Sequence, residues 1–265
     1  CIRDRINING NKFLNANWND TNAIRVSNYS NVNATINLLD DTYSDHGDDE
    51  NKAYAGLLCF QELSSYNDNF TKLTVNIEKL DTTGAQSDQL FYVYKDSIIS
   101  TNQPVVKGDS SIEKFFVAKV GDTYYKTLAE AVAAAKNDET VTLLKNAETT
   151  VELSFTNKAI TLDLNGKTVS GTFTDNFSVI EAGENASLTV QDTSVAGTGK
   201  IASNKYGISA RDGGALIVKS GTIESEYAPL SGNNTAGDMN FTVNGGTLTA
   251  KHGPAIYMPG QVLSL

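Results

Sequence analysis

The chain has 265 residues, with 31 acidic against 21 basic side chains, a formal net charge of −10 and a pI near 4.7. That balance argues against nucleic acid as a partner, because phosphate binding needs a basic surface, and no run approaches the ~18 apolar residues of a membrane-spanning helix. A hydrophobic share of 40% excludes a disordered chain, and two cysteines outside any CxxC pattern exclude a disulfide framework or a zinc site of that kind.

The chain opens without an initiator Met or a signal-peptide pattern. Cys1 has two readings: the lipidated first residue of a mature bacterial lipoprotein, or the first residue of a fragment. A strand-like run follows at once, which favours the second. In the first hundred residues Ile6-Asn7-Ile8, Ile36-Asn37-Leu38 and Val75-Asn76-Ile77 align, with spacings of 30 and 39 residues. Phe13 and Tyr43 each sit five residues after their references. Ala23-Ile24-Arg25-Val26 and Gly56-Leu57-Leu58-Cys59-Phe60 lie between them, with Cys59 read as a buried core residue. Residues 1–95 therefore read as large, irregular coils of a first module. Asp40-Asp41, Asp45 and Asp48-Asp49-Glu50 gather acidic oxygens around His46-Gly47. Their spacing does not match an EF-hand loop, and a solvated acidic loop is the simpler reading. No metal site and no cofactor is expected.

Residues 96–111, with Pro104 and several Ser, Asn and Asp, read as a linker. Phe115 to Val120, the turn Gly121-Asp122 and Thr123-Tyr124-Tyr125 predict a hairpin. A helix follows over about 127–136. Thr127 and Glu130 form a capping box, and Leu128, Ala131, Val132 and Ala135 make an apolar stripe. Asn137-Asp138 stops it and Glu139 to Leu144 begins a strand. An amphipathic helix here would cover the open end of a repeat array, whose unpaired backbone otherwise invites edge pairing.

From there the sequence repeats. Leu164, Val190, Val218, Val243 and Leu265 recur at spacings of 26, 28, 25 and 22 residues. A second register links Ile201 to Ile208, Ile223 to Leu230 and Leu248 to Ile256, at 7, 7 and 8 residues. Each unit thus holds two or three short strands joined by corners, the signature of one coil of a parallel β-helix. The inward column is read as Leu164, Val190, Val218 and Val243. The corner column Asn165, Gln191, Lys219 and Asn244 invites an amide ladder. The fold class is all-β, a parallel β-helix in two modules. The second spans 112–265, with its cap at 112–145 and coils from 146 that the end of the chain truncates.

Val117 to Tyr125, Thr127-Leu128-Ala129-Glu130-Ala131-Val132 and Ala159 to Lys167 resemble the capped right-handed β-helix modules of large bacterial surface proteins. Gly253 to Gly260 is similar to a corner from such proteins. The resemblance covers 112–265 well and the first hundred residues only in texture. It implies a pectate-lyase-like fold in a secreted or wall-attached protein. It implies no reaction, because the fold hosts lyases, hydrolases, adhesins and inert stalks.

Enzymes of this fold carry stacked carboxylates or a Gly-His-Gly stretch with grouped Asp. Here the outer columns read Asp163, Thr189, Ile217, Thr242 and Glu181, Ser209, Ser231, Tyr257, neither stacking carboxylates. Arg211-Asp212 reads as an exposed pair, and His252 as a surface residue. No catalytic residue is assigned. Tyr206, Tyr227 and Tyr257 are the candidate binding residues, by ring stacking and hydroxyl hydrogen bonds to host or cell-wall glycans. Packing at corners is the alternative for them. The expected function is an adhesin, stalk or glycan-binding surface, extracellular and without membrane insertion. The competing reading is a lyase or hydrolase of acidic polysaccharides. Oligomeric state is open.

Overall fold

A computed structural model describes residues 4–15, 24–28, 33–45, 57–62, 72–85, 90–93, 104–232 and 238–258. Strands dominate it, almost all paired in parallel. The chain divides into two units, one of Cys1–Phe115 with Asp122–Tyr124 and one of Phe116–Gly121 with Tyr125–Leu265. Cys1, His46 to Glu50 and Pro259 to Leu265 lie outside the described residues, as do the side chains of Asp45 and Cys59. Among the described residues no helix is long and apolar enough to cross a membrane.

In the first unit β1 (Asp4–Asn9), β4 (Asn33–Leu39), β7 (Lys72–Glu78) and β9 (Val105–Gly108) pair in parallel. The register matches the sequence alignment, with Ile8 opposite Leu38 and Leu38 opposite Ile77. β2 (Lys12–Asn15) pairs with β5 (Thr42–Asp45), placing Phe13 opposite Tyr43. β3 (Ile24–Asn28), β6 (Leu58–Glu62) and β8 (Phe91–Val93) make a third parallel set. Ile36, Leu38, Val75 and Ile77 are buried, and Asn37 and Asn76 stand between them on the other face. The residue after each long strand, Gly10, Asp40 or Lys79, turns the chain in the left-handed region at φ 70°, 57° and 53°. β9 occupies the second half of the stretch read as a linker, and Val106 is buried on it.

β10 (Ala118–Val120) and β11 (Thr123–Tyr125) flank Gly121-Asp122, and the Val117 N–H donates to the Tyr125 carbonyl at 3.0 Å. Helix α1 (Leu128–Ala134) follows with the expected capping box: Thr127 Oγ1 accepts from Glu130 N at 3.1 Å, and Thr127 N donates to Glu130 Oε2 at 3.2 Å. The buried Leu128, Ala131 and Val132 face the core. At the other end Lys158 Nζ donates to the carbonyls of Val132, Ala133 and Ala135 at 2.8, 3.2 and 2.7 Å. These are acceptors that a helix leaves open, and a cation there also suits the helix dipole.

The second unit then builds three parallel sheets, as in a β-solenoid. The first runs β12 (Glu139–Leu143), β15 (Ala159–Asp163), β18 (Ser187–Gln191), β21 (Ala215–Val218) and β24 (Asn240–Val243). The second runs β13 (Ala147–Thr149), β16 (Thr168–Gly171), β19 (Lys200–Ser203), β22 (Thr222–Ser225) and β25 (Thr247–Ala250). The third runs β14 (Leu153–Phe155), β17 (Ser178–Ala182), β20 (Tyr206–Ala210), β23 (Leu230–Gly232) and β26 (Ile256–Tyr257). Each coil contributes one strand to each sheet. Alternation within the strands turns Leu162, Val190 and Val218, then Ile201 and Ile223, then Ile180, Ile208 and Leu230 into one core. Each such side chain contributes roughly 1.5–3 kcal/mol on burial.

One column is corrected. Val190 pairs with Leu162, not Leu164, so the column is Leu162, Val190, Val218 and Val243, of which Val243 is exposed rather than buried, and the outer residue of β15 is Thr161, not Asp163. Leu164 lies past the strand end and is buried there too. The slip removes the expected amide ladder: Asn165 Nδ2 donates to the Leu143 carbonyl instead, at 2.9 Å. Asp163 folds back over the corner, accepting from Asn165 N and Thr193 N at 3.0 and 3.1 Å and from Thr193 Oγ1 at 2.6 Å. Amides do meet at the opposite corner, where Asn157 and Asn185 both have φ near 50° and Nδ2 of Asn185 reaches Oδ1 of Asn157 at 3.5 Å. Short polar side chains tolerate that conformation best after glycine.

Candidate binding cleft

The outer face of the third sheet carries a cleft of about 370 Å³. The rungs behind it are those read from sequence: Glu181, Ser209, Ser231 and Tyr257 lie opposite one another in successive coils, and the structure adds Ser154 opposite Glu181 one coil earlier. The inward column beside them shrinks from Phe155 through Ala182 and Ala210 to Gly232. Met239 closes over Gly232, where an added Cβ would meet its Cε and push the methionine tip aside.

Glu181 is the buried charge of the cleft, 5% exposed at the side chain. Arg211, from one coil further on, meets it at 3.0 Å (Nη2 to Oε1) and reaches Asp212 at 3.5 Å through Nε. Arg211 follows the end of β20, and its N–H donates to the Ala182 carbonyl at 2.9 Å, which carries the ladder one residue beyond the strand. Asp212 then turns the chain at φ 52°. Gly183 occupies the equivalent place one coil earlier, so no side chain stands between the guanidinium and Glu181. Arg211 and Asp212 form the exposed pair expected from sequence, with side chains 47% and 37% exposed, but the pair also has a role in the cleft. One member is the counter-ion of a buried carboxylate.

Glu152 enters from just before β14. Its Oε1 accepts from Ser178 N at 2.7 Å and from Ser178 Oγ at 2.6 Å. Ser178 Oγ also lies 2.6 Å from Ser209 Oγ. Since the Ser178 proton points to Glu152, Ser209 is the donor in that pair, and the three groups form a chain ending on the carboxylate. Burial raises the Glu181 carboxyl above its ordinary range, and the Glu152 charge raises it further. Arg211 opposes this and Asp212 adds to it. The cleft thus holds two carboxyl groups in unlike settings, one buried and proton-seeking, one fixed by two donors.

Aromatic rings complete the wall. Tyr206 and Tyr257 line the cleft, as does Phe177. Phe177 is 43% exposed and stands edge-on to the buried Phe173, with ring centres 6.2 Å apart. Asn204 pins Phe173, accepting from its N–H at 2.8 Å and donating to its carbonyl at 3.0 Å. Tyr227 is not brought to the cleft. It packs against Tyr206 with ring centres 5.5 Å apart, and Lys205 Nζ lies 5.9 Å from its ring. His252 is a surface residue, 70% exposed and 3.2 Å from Glu226. Among the described residues no three His, Cys, Asp or Glu side chains come together to hold a metal.

Sequence reasoning named Tyr206, Tyr257 and the Glu181 column but missed Glu152, Ser178 and the link to Arg211. Compared with known proteins, the chain matches no family model, and no curated protein or solved structure matches it.

Proposed function

We propose that this chain is part of a secreted or surface-anchored bacterial protein of right-handed, pectate-lyase-like β-helix fold, and that its third sheet binds a glycan. The observation that carries the reading is the make-up of the cleft. Tyr206, Tyr257 and Phe177 present ring faces and edges, and Ser209, Ser231 and the Glu181–Arg211 pair present hydroxyl and charged groups beside them. Sugars are recognised by that mixture, apolar C–H faces against rings and hydroxyls against fixed polar groups. The cleft is at the small end of ligand sites, about 300–1,000 Å³. Screening the purified chain against immobilised bacterial and host glycans tests this. Binding that Tyr257→Ala weakens about tenfold supports it, and no binding to any glycan leaves only a stalk.

A second reading has one observation in its favour. Glu181, a buried carboxyl pushed towards its protonated form, shares the cleft with a second carboxyl, Glu152, that accepts two hydrogen bonds, and a pair of carboxyl groups is what glycoside hydrolysis uses. Incubation with uronate and neutral polysaccharides, following reducing ends and the ultraviolet absorbance of unsaturated products with and without Ca²⁺, tests it. A flat trace in both assays removes the enzyme.

A further inference from the structure

Two carboxylates, Glu152 and Glu181, line the cleft with one guanidinium, Arg211, which Glu181 holds at 3.0 Å and Asp212 at 3.5 Å. Arg211 is already engaged on both sides, by Glu181 and by Asp212. Among the described residues no other cation lines the cleft. An acidic sugar entering here would meet two carboxylates and would have to take Arg211 from a buried partner. Removing a partner from a buried charge is costly. A sugar bearing a protonated amine faces the opposite situation. Its ammonium has three donors and no acceptor, and the cleft offers carboxylate and hydroxyl oxygens that can accept them.

Resting on the glycan reading above, we propose that this cleft selects a glycan with free amino groups, of the glucosamine type, over its neutral N-acetylated form and over uronates. The direction of the Glu181 shift agrees with the geometry. Its carboxyl is raised by burial and by Glu152 and Asp212, with Arg211 the only group opposing them. A local field that resists a further negative charge is one that an ammonium ion relieves. The rings and serines favour a sugar over a lysine side chain as the carrier of that ammonium, because a polyol also uses Ser209, Ser231 and the face of Tyr257.

The test is calorimetric titration at pH 6 of the full chain with glucosamine tetramer, its fully N-acetylated counterpart, galacturonate tetramer and lysine amide. The glucosamine tetramer should bind at least tenfold tighter than the other three. Glu181→Gln, which keeps shape and removes the charge, should abolish that advantage. The exposed Glu148, on β13 in another sheet, controls for the overall charge of −10, and Glu148→Gln should leave the advantage intact. Tyr257→Ala should weaken both amino-sugar tetramers alike, which shows that they occupy this cleft if Glu181→Gln fails to fold. Equal binding of the N-acetylated form, preference for galacturonate, or lysine amide binding as tightly as the amino sugar would overturn the inference while a bound sugar still supports the glycan reading. Binding by none of the sugars overturns both.

Discussion

The Asn37 side chain donates from Nδ2 to Oδ1 of Asn7 at 2.7 Å, although thirty residues separate them in sequence. Asn76 repeats the bond onto Asn37, also at 2.7 Å. The three lie on facing rungs of β1, β4 and β7. Asn37 is the middle member and the only one of the three that both donates and accepts within the ladder. Asn37→Asp keeps the acceptor for Asn76 but loses the donor to Asn7. Net worth per bond is about 0.5–1.5 kcal/mol, so the variant should lose roughly that much above the carboxylate range and recover part of it in acid, read by urea unfolding at pH 7 and pH 3.

Lys158 closes the C-terminal end of α1 with three carbonyl bonds. Lys158→Met keeps the aliphatic stem and removes the charge. Loss of charge-assisted bonds of about 1.5–3 kcal/mol each in isolation, discounted for partial exposure to water, leaves an expected cost of roughly 1–2 kcal/mol. Faster amide exchange at Ala131 and Ala135 than in the wild type, with the coil amides unchanged, is the local signature. Unchanged exchange at both amides would mean the lysine does not hold the helix end.

Asp192 ties three turns together. Its oxygens accept from Gly166 N at 2.8 Å, Ser194 N at 3.1 Å and Gly199 N at 2.6 Å. Burial alone would raise its carboxyl, but these backbone donors outweigh it and hold the group below its ordinary 3.8. Its contribution is therefore complete above about pH 3.8 and is lost as the pH falls through the lower folded value. Asp192→Asn should flatten the acid limb of the stability curve in that window and cost about 1–3 kcal/mol at pH 7.

Glu181 runs the other way. Its folded value lies above the ordinary 4.5, so ionising it costs the folded chain more than the unfolded one. Stability is drawn down as the pH rises from about 4.5 through that folded value. Glu181→Gln should therefore gain on the wild type across this interval, as measured by the melting temperature of both proteins from pH 4 to pH 7. A constant difference would remove the shift.

Gly207 sits where two successive coils approach closely. A Cβ there would meet the Pro229 carbonyl and Ile223 Cγ2. Overpacking of this kind costs about 1–3 kcal/mol. Gly207→Ala should lower the stability by that amount and displace Tyr206, its neighbour, so the glycan binding proposed for the cleft should fall more than stability alone explains.

Much of the fold was legible because stacked coils repeat their hydrophobic spacing. The third-sheet rungs from Glu181 to Tyr257 and the first-unit pairs Ile8–Leu38 and Phe13–Tyr43 follow from period alone. Leu162-Asp163-Leu164 misled for a physical reason. Both leucines are fully buried, one in the strand and one past its end, so apolarity does not say which is the rung. The distinguishing mark is Asp163, which turns back on Asn165 N and so marks the strand end. β9 was hidden because Pro104 and the polar residues around it look like a loop, while only Val106 of its four residues is buried. The cleft was half legible. Period-two alternation carries Glu181, Ala182, Gly183 onto Ser209, Ala210, Arg211, which places Arg211 on the Glu181 face one coil later. Glu152 carries no such mark, because it precedes its strand and belongs to no column.

The Glu181–Arg211 pair joins two successive turns of the chain, and Tyr257 arrives two turns after Arg211's own strand. No single repeat therefore owns the cleft. Duplicating or deleting one whole turn between them would leave every rung well packed, yet it would separate the acid from its guanidinium or slide the tyrosine along the wall. In a chain built this way the chemistry of the cleft is spelled by the order of its turns, and a change in word order alters the meaning while the grammar of the core stays intact.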